Sequence, residues 1–271
     1  MNVCAFCGPT AEPMSPEDLF PSWLSRLMQR LGAKSFRIAA KPRIGAASLS
    51  GKAQRINVRL PVVCKPCNTQ WMSQIEKQVK PLLTQLIVKP DEPKVFSDEE
   101  WAALIIWTTI KAIILDHGDV ATTGAAPFFT QAQRTRLRDE WLPPNRVEMW
   151  LGRAKYAKED SLRVEFTYSG FLRRPSLRNL HHLHAFTVTI QIREIVIQAL
   201  FLRNLVKPKQ GSLNYVPESA YAIRPKTVPW SHFLIQLHPN VGEVRWPPQA
   251  HLNRNGFEAL AYRISSRMPG R

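Results

Sequence analysis

Apolar positions recur at helical spacing from Leu19 through Phe20, Trp23, Leu24, Leu27, Met28 and Leu31, ending at Gly32, and they predict a short helix over 21–31. Ser15-Pro16 ahead of it reads as an N-cap followed by a first-turn proline. In "NTQWMSQIEKQVKPLLTQLIV", Trp71, Ile75, Val79, Leu82 and Leu86 share one face, which predicts a helix starting at or just after Cys67 and bent at Pro81. The proline-bearing stretch "KPDEPKVFSDEEW" predicts a linker, with a boundary near residue 95, and ends in the Ser97 and Glu100 spacing of a capping box. The helix that follows runs to about Leu115, and "TQAQRTRLRDEWL" predicts another.

Beyond residue 145 the period changes to two. Leu162, Val164, Phe166 and Tyr168 alternate with polar residues, as do Phe186, Val188, Ile190 and Ile192, and both runs predict half-buried strands. "EIVIQALFL" reads as a buried strand or a short helix, and a final helix is predicted over 256–267. The pattern as a whole predicts an α+β protein, with an N-terminal module over 1–94 and helices packed on an antiparallel sheet over 95–271.

Charge adds a direction to this picture. The 271-residue chain has a formal net charge of +16 and a pI near 10.1, which favours a polyanionic partner. Arg26, Arg30, Lys34, Arg37, Lys41, Arg43, Lys52, Arg55, Arg59 and Lys65 fall in one window that contains no Asp or Glu. Its Gly-, Ala- and Ser-rich middle predicts an exposed loop or a loose hairpin, either tracking a phosphate backbone or simply solvated. "FLRRPSLRNLHHLH", with Arg173, Arg174, Arg178, His181, His182 and His184, is a second basic patch. The apolar run Trp101–Leu115 is interrupted by Lys111 and is shorter than the roughly 20 residues a membrane span needs, so a buried helix and no membrane partner are expected. The first residues lack the charged and apolar regions of a secretory signal, which predicts an intracellular, cytoplasmic protein.

The four cysteines form two C-x-x-C pairs, Cys4 with Cys7 and Cys64 with Cys67, and none is left over. Each pair can present two thiolates to one ion, and two pairs complete the tetrahedral shell that zinc prefers. The expected cofactor is therefore a structural Zn²⁺ that closes a loop between the two pairs. No G-x-S-x-G, phosphate loop or dinucleotide fingerprint is present, and with every cysteine assigned to metal no Cys/His nucleophile remains.

The segments "CAFCG", "SPEDLFPSWL" and "VVCKPCNTQWMSQIE" resemble the zinc-bearing branch of the HNH endonucleases over about residues 1–80. The resemblance implies a ββα-metal finger in which a His acts as general base on a water and a neighbouring acidic residue helps hold a divalent cation. Carried across, Glu17 takes the acidic ligand position, Asn68 the helix ligand, and Asn57 the intermediate Asn between the strands. Asp18 stands where the family has His, and no histidine precedes His117. A carboxylate with an ordinary pKa near 3.9 is a weaker base at neutral pH than an imidazole near 6.5.

Two readings of the Glu17-Asp18 pair follow. In one, Glu17, Asp18 and Asn68 bind Mg²⁺ or Mn²⁺ and the protein is an active endonuclease. In the other, the carboxylates merely favour the first turn of a helix capped by Ser15. The expectation is a nucleic-acid-binding protein with a degenerate nuclease site, DNA ahead of RNA, with a non-catalytic subunit of a nucleoprotein assembly as a further alternative.

Overall fold

The computed structural model describes residues 2–32, 36–40, 49–53, 59–123, 126–144, 147–155, 164–171, 185–202, 234–238 and 244–253. The fold is α+β. Two short strands, β1 (Asn2–Cys4) and β2 (Gly8–Thr10), form a tight hairpin around the first cysteine pair. Gly8 closes it at φ +79°, a backbone conformation that suits glycine.

Next come β3 (Met14–Asp18) and helix α1 (Ser22–Arg30). The helix lies where the periodicity puts it, but Ser15 does not cap it. Ser15, Pro16, Glu17 and Asp18 are in a strand, and Pro21 is the residue that precedes the helix in extended conformation. The pairing partner of β3 is β6 (Arg59–Cys64), more than forty residues away, and that long-range ladder overrides the local cap signal. The ladder shifts register between Ser15 and Glu17, where Pro16 lies opposite Pro61-Val62. A bulge tolerates prolines that a regular ladder would not. It also frees the Val62 carbonyl, which accepts the Ala5 N–H at 2.7 Å and ties the first cysteine hairpin to β6.

Between these strands, β4 (Phe36–Ala40) pairs antiparallel with β5 (Leu49–Ala53), so the described part of the basic window is a hairpin. Its register sets positions 37 and 52, an Arg and a Lys, directly opposite each other.

After β6 the chain turns directly into helix: a single turn α2 (Lys65–Cys67), a π-helical segment Asn68–Met72 and then α3 (Ser73–Val88), with Pro81 inside it. The helical run thus begins before Cys67. Ile75, Val79, Leu82, Leu83, Leu86 and Ile87 are the buried face of α3.

The proline-rich stretch that follows is well tied down. Strand β7 (Lys94–Val95) pairs with β13 (Arg245–Trp246), and the Trp246 indole N–H donates to the Pro90 carbonyl at 2.9 Å. Arg153 Nη1 donates to Asp91 at 2.6 Å, and Arg193 Nη1 to the Ile87 carbonyl at 2.6 Å.

Helix α4 (Asp98–Thr123) is capped by Ser97 as predicted: the Glu100 N–H donates to Ser97 Oγ at 3.3 Å and the Ser97 N–H to Glu100 Oε2 at 3.0 Å. It runs past Leu115 and is buried on every side from Ala103 to His117, because α3 and β6 cover one flank and the C-terminal sheet the other. Gly118 lets it approach β6 closely, since a Cβ there would meet Leu60 Cδ1 at 3.0 Å. A short α5 (Gln131–Glu140) follows, capped by Thr130 with Gln133.

The sheet is antiparallel in the order β12-β8-β11-β10-β9, comprising β8 (Val147–Arg153), β9 (Val164–Phe171), β10 (Ala185–Ile192), β11 (Ile195–Leu202) and β12 (Leu234–His238). "EIVIQALFL" is therefore a strand, paired with β10 throughout from Ile195↔Ile192 to Leu202↔Ala185. Strand β4 runs beside β9. One apolar core joins Phe6, Phe20 and Leu24 to Leu83 and Trp107, and continues to Phe129, Phe186 and Phe201. The final helix expected over 256–267 lies outside the described residues.

Candidate metal centre and the carboxylate site beside it

The hairpin β1-β2 and the junction of β6 with α2 bring all four cysteines together. The ligand atoms of Cys4, Cys7, Cys64 and Cys67 lie within 4.8 Å of one another, and Cys7 Sγ is 3.6 Å from Cys64 Sγ. All four are free thiols, and three of them are buried. Such a cluster can hold a metal ion. Its surroundings favour thiolate at Cys4, whose sulfur accepts from the backbone N–H groups of Phe6 at 3.4 Å and Cys64 at 3.3 Å. The Cys67 thiol and these amides bring the Cys4 pKa down to about 4, while burial and the neighbouring sulfurs push Cys7 up to about 11 and Cys67 upward as well. One shared negative charge is held readily; four need a cation among them.

Helix α5 clamps this cluster from the C-terminal side. Gln131 Nε2 donates to the Phe6 carbonyl at 2.8 Å, inside the first cysteine turn, and its Oε1 accepts from Arg134 Nη2 at 2.6 Å. Arg134 is 6% exposed, and its Nη1 lies 3.1 Å from His117 Nδ1. Burial, with Arg134 alongside, pushes the His117 pKa down to about 4, so the ring is a neutral acceptor for the guanidinium. A further contact sets Phe6 edge-on to Trp71, with centroids 4.9 Å apart.

Glu17 and Asp18 end β3 and Asn68 begins the π-helical segment, and each is already engaged. Glu17 is 5% exposed, and its Oε1 accepts from Lys111 Nζ at 2.9 Å. Lys111, on α4, also donates to the Asp18 carbonyl at 3.3 Å and to Glu76 Oε1 at 3.3 Å, and its Nζ lies 5.8 Å from the Trp107 ring centroid. Burial alone would lower the Lys111 pKa, but Glu17 and Glu76 outweigh it and hold the ammonium charged. Glu76 is pushed up by burial, against the pull of Lys111. The Asp18 side chain pairs with Arg59 Nε at 2.9 Å on the surface, and Asn68 Nδ2 donates to Ser15 Oγ at 3.0 Å.

Sequence reasoning did not find Lys111 or Glu76 as members of this site. The one signal was a single cation in an otherwise apolar helix, and a buried lysine needs a buried carboxylate. Neither Gln131 nor Arg134 carried any signal, since their role depends on how α5 docks.

Of the basic window, Arg26, Arg30 and Lys65 are exposed, and Arg59 is 61% exposed beside Asp18. Arg37 and Lys52 are placed by the β4-β5 register. Lys34, Lys41, Arg43, Arg55 and Asn57 lie outside the described residues, as do Arg173, Arg174, Arg178, His181, His182 and His184. Among the described residues no helix is long and apolar enough to cross a membrane.

Comparison of this chain with protein-family models, with curated proteins and with solved structures finds no match.

Proposed function

We propose that the protein binds the phosphate backbone of nucleic acid, DNA ahead of RNA, through a zinc-stapled module of HNH-endonuclease type whose hydrolytic centre is degenerate. The observation that carries the loss of hydrolysis is the Lys111 ammonium, seated 2.9 Å from Glu17 Oε1 and 3.3 Å from Glu76 Oε1. A divalent ion needs the Glu17 carboxylate as an oxygen ligand, and here that carboxylate is buried and neutralised by an internal cation. Asp18 replaces the expected general base as well. Either change alone would slow hydrolysis; together they remove both the metal and the base that the HNH reaction uses.

The four sulfurs suit zinc. Zn–S bonds of about 2.3 Å in a tetrahedron place sulfurs about 3.8 Å apart, and the Cys7–Cys64 separation is 3.6 Å. A closed tetrathiolate shell leaves no position for a water, so the ion would supply rigidity and not Lewis-acid chemistry. Nucleic-acid binding is supported by the net charge of +16 and by the acid-free window from Arg26 to Lys65.

Supercoiled plasmid with Mg²⁺ or Mn²⁺ tests the reading, using wild type, Asp18→Ala, Asn68→Ala and Asp18→His. Salt-sensitive binding without metal-dependent nicking is expected of the wild type. Metal-dependent nicking by the wild type that is lost in both alanine variants would overturn the degenerate-site reading in favour of the endonuclease. Zinc near one per chain, abolished by Cys64→Ser, is expected of the staple.

A further inference from the structure

Helices α1 and α3 carry a stretch of cationic surface that starts at the head of the acid-free window and continues outside it. On α1, Trp23, Arg26 and Arg30 follow at i, i+3 and i+7 and so line one stripe. On α3, Lys77 and Lys80 sit at i and i+3. Lys80 Nζ lies 5.9 Å from the Trp23 ring centroid, so the two stripes meet at that indole.

All four cations are exposed, and no described carboxylate pairs with any of them. Helix α1 has no acidic residue, and Glu76, the one acid on α3, is turned inward to Lys111. Along α3 the surface opens into a groove of about 740 Å³ whose lining includes Lys77, Lys80, Pro81, Thr84 and Val88. Lys89, at the far end, is held by Glu92 at 3.2 Å.

We infer that α1 and α3 form one cationic track that holds a nucleic-acid backbone, with Arg26, Arg30, Lys77 and Lys80 each neutralising a phosphate. This deepens the proposed function and rests on it. Charge complementarity decides the occupant: four uncompensated cations on two adjoining helix faces match a regular line of anions. The groove runs along the thirteen residues from Lys77 to Lys89, about 18 Å at 1.5 Å per residue. At about 3.4 Å per nucleotide that is the rise of roughly five phosphates.

The test is fluorescence anisotropy of the zinc-loaded 271-residue protein with a labelled 20-mer, duplex and single-stranded, over a salt series. Wild type is compared with Lys77→Gln/Lys80→Gln and with a charge-matched control, Arg136→Gln/Lys155→Gln; thermal melts check that each variant is folded. For duplex, the track variant is expected to bind at least about fivefold more weakly at 100 mM salt and to lose about 1.8 from the slope of log K against log salt, at about 0.9 per phosphate contact. For single strands the expected loss of slope is about 1.4, at about 0.7 per contact. The control is expected to stay within about twofold of wild type. Wild-type binding with an unchanged slope in the track variant would overturn the track and leave the nucleic-acid reading standing. No wild-type binding to either oligonucleotide would overturn both. Vesicles with anionic lipid and poly-glutamate run in parallel; a loss confined to one of these would assign the surface to a membrane or an acidic protein and overturn the inference.

Discussion

An ammonium group that is 1% exposed must find its countercharge inside the fold, and Lys111 finds it in two carboxylates from different elements, Glu17 on β3 and Glu76 on α3. Removing one partner of such a group strands the others in a low-dielectric site, at a cost of about 3–5 kcal/mol. Lys111→Met is therefore expected to destabilise the protein by that amount in urea unfolding, and Glu17→Gln added to it should recover part of the loss. In Lys111→Ala, by contrast, both carboxylates and the Asp18 carbonyl would surround a vacated space lined by oxygen donors, the chemistry that hard ions take. Mn²⁺ is accordingly expected to raise the melting temperature of Lys111→Ala and leave wild type unchanged; equal shifts in both would separate Lys111 from the exclusion of metal.

At the scale of the element, helices were legible wherever period and punctuation agreed. Helix α4 has its apolar run and its Ser97–Glu100 box, both local signals, and α3 has a buried stripe at 3.6-residue spacing. Strand β3 was not legible, because "SPED" satisfies the local grammar of a helix start and only its pairing with β6 makes it extended. Strands β8 and β12 escaped notice as well: β8 alternates buried and half-buried positions only over Val147–Leu151 and is buried at Gly152 and Arg153, and Trp150 at a half-buried position blurs the apolar-polar alternation in its sequence. Pro81 tests how α3 tolerates its own irregularity. It sits mid-helix on the exposed face, lacks the N–H that would reach the Lys77 carbonyl, and costs the helix about 3 kcal/mol relative to alanine. A proline also restricts the unfolded chain, which offsets roughly 0.4–1 kcal/mol of that. Pro81→Ala is thus expected to stabilise the protein by about 2 kcal/mol in denaturant titration. A destabilised variant would mean that Pro81 itself is needed for the buried face of α3 to pack on α4.

For the whole molecule, the cysteine cluster was legible from spacing alone, but its support was not. The sulfurs come from the first and last parts of residues 2–67, whereas Gln131 and Arg134, which brace the first cysteine turn, arrive from α5. The same is true of the carboxylate site, where the module contributes two acids and α4 the cation. Leu82, Leu83, Leu86 and Ile87 of α3 share a core with Ile110, Ile113 and Ile114 of α4. A chain ending at residue 94 would expose that face and leave Glu17 and Glu76 without Lys111. A metal ion would still find its four sulfur ligands, since they all lie within residues 4–67. A fragment of residues 1–94 is therefore expected to bind one metal ion yet to melt without a cooperative transition and to bind a hydrophobic dye, whereas the 271-residue protein should unfold in one cooperative step that shifts downward when a chelator removes the metal. A sharp melt of the zinc-loaded fragment, with its amides as slow to exchange as in the full chain, would instead establish residues 1–94 as an autonomous domain. That result would reduce Lys111 from a structural requirement of the module to a contact between two independent units.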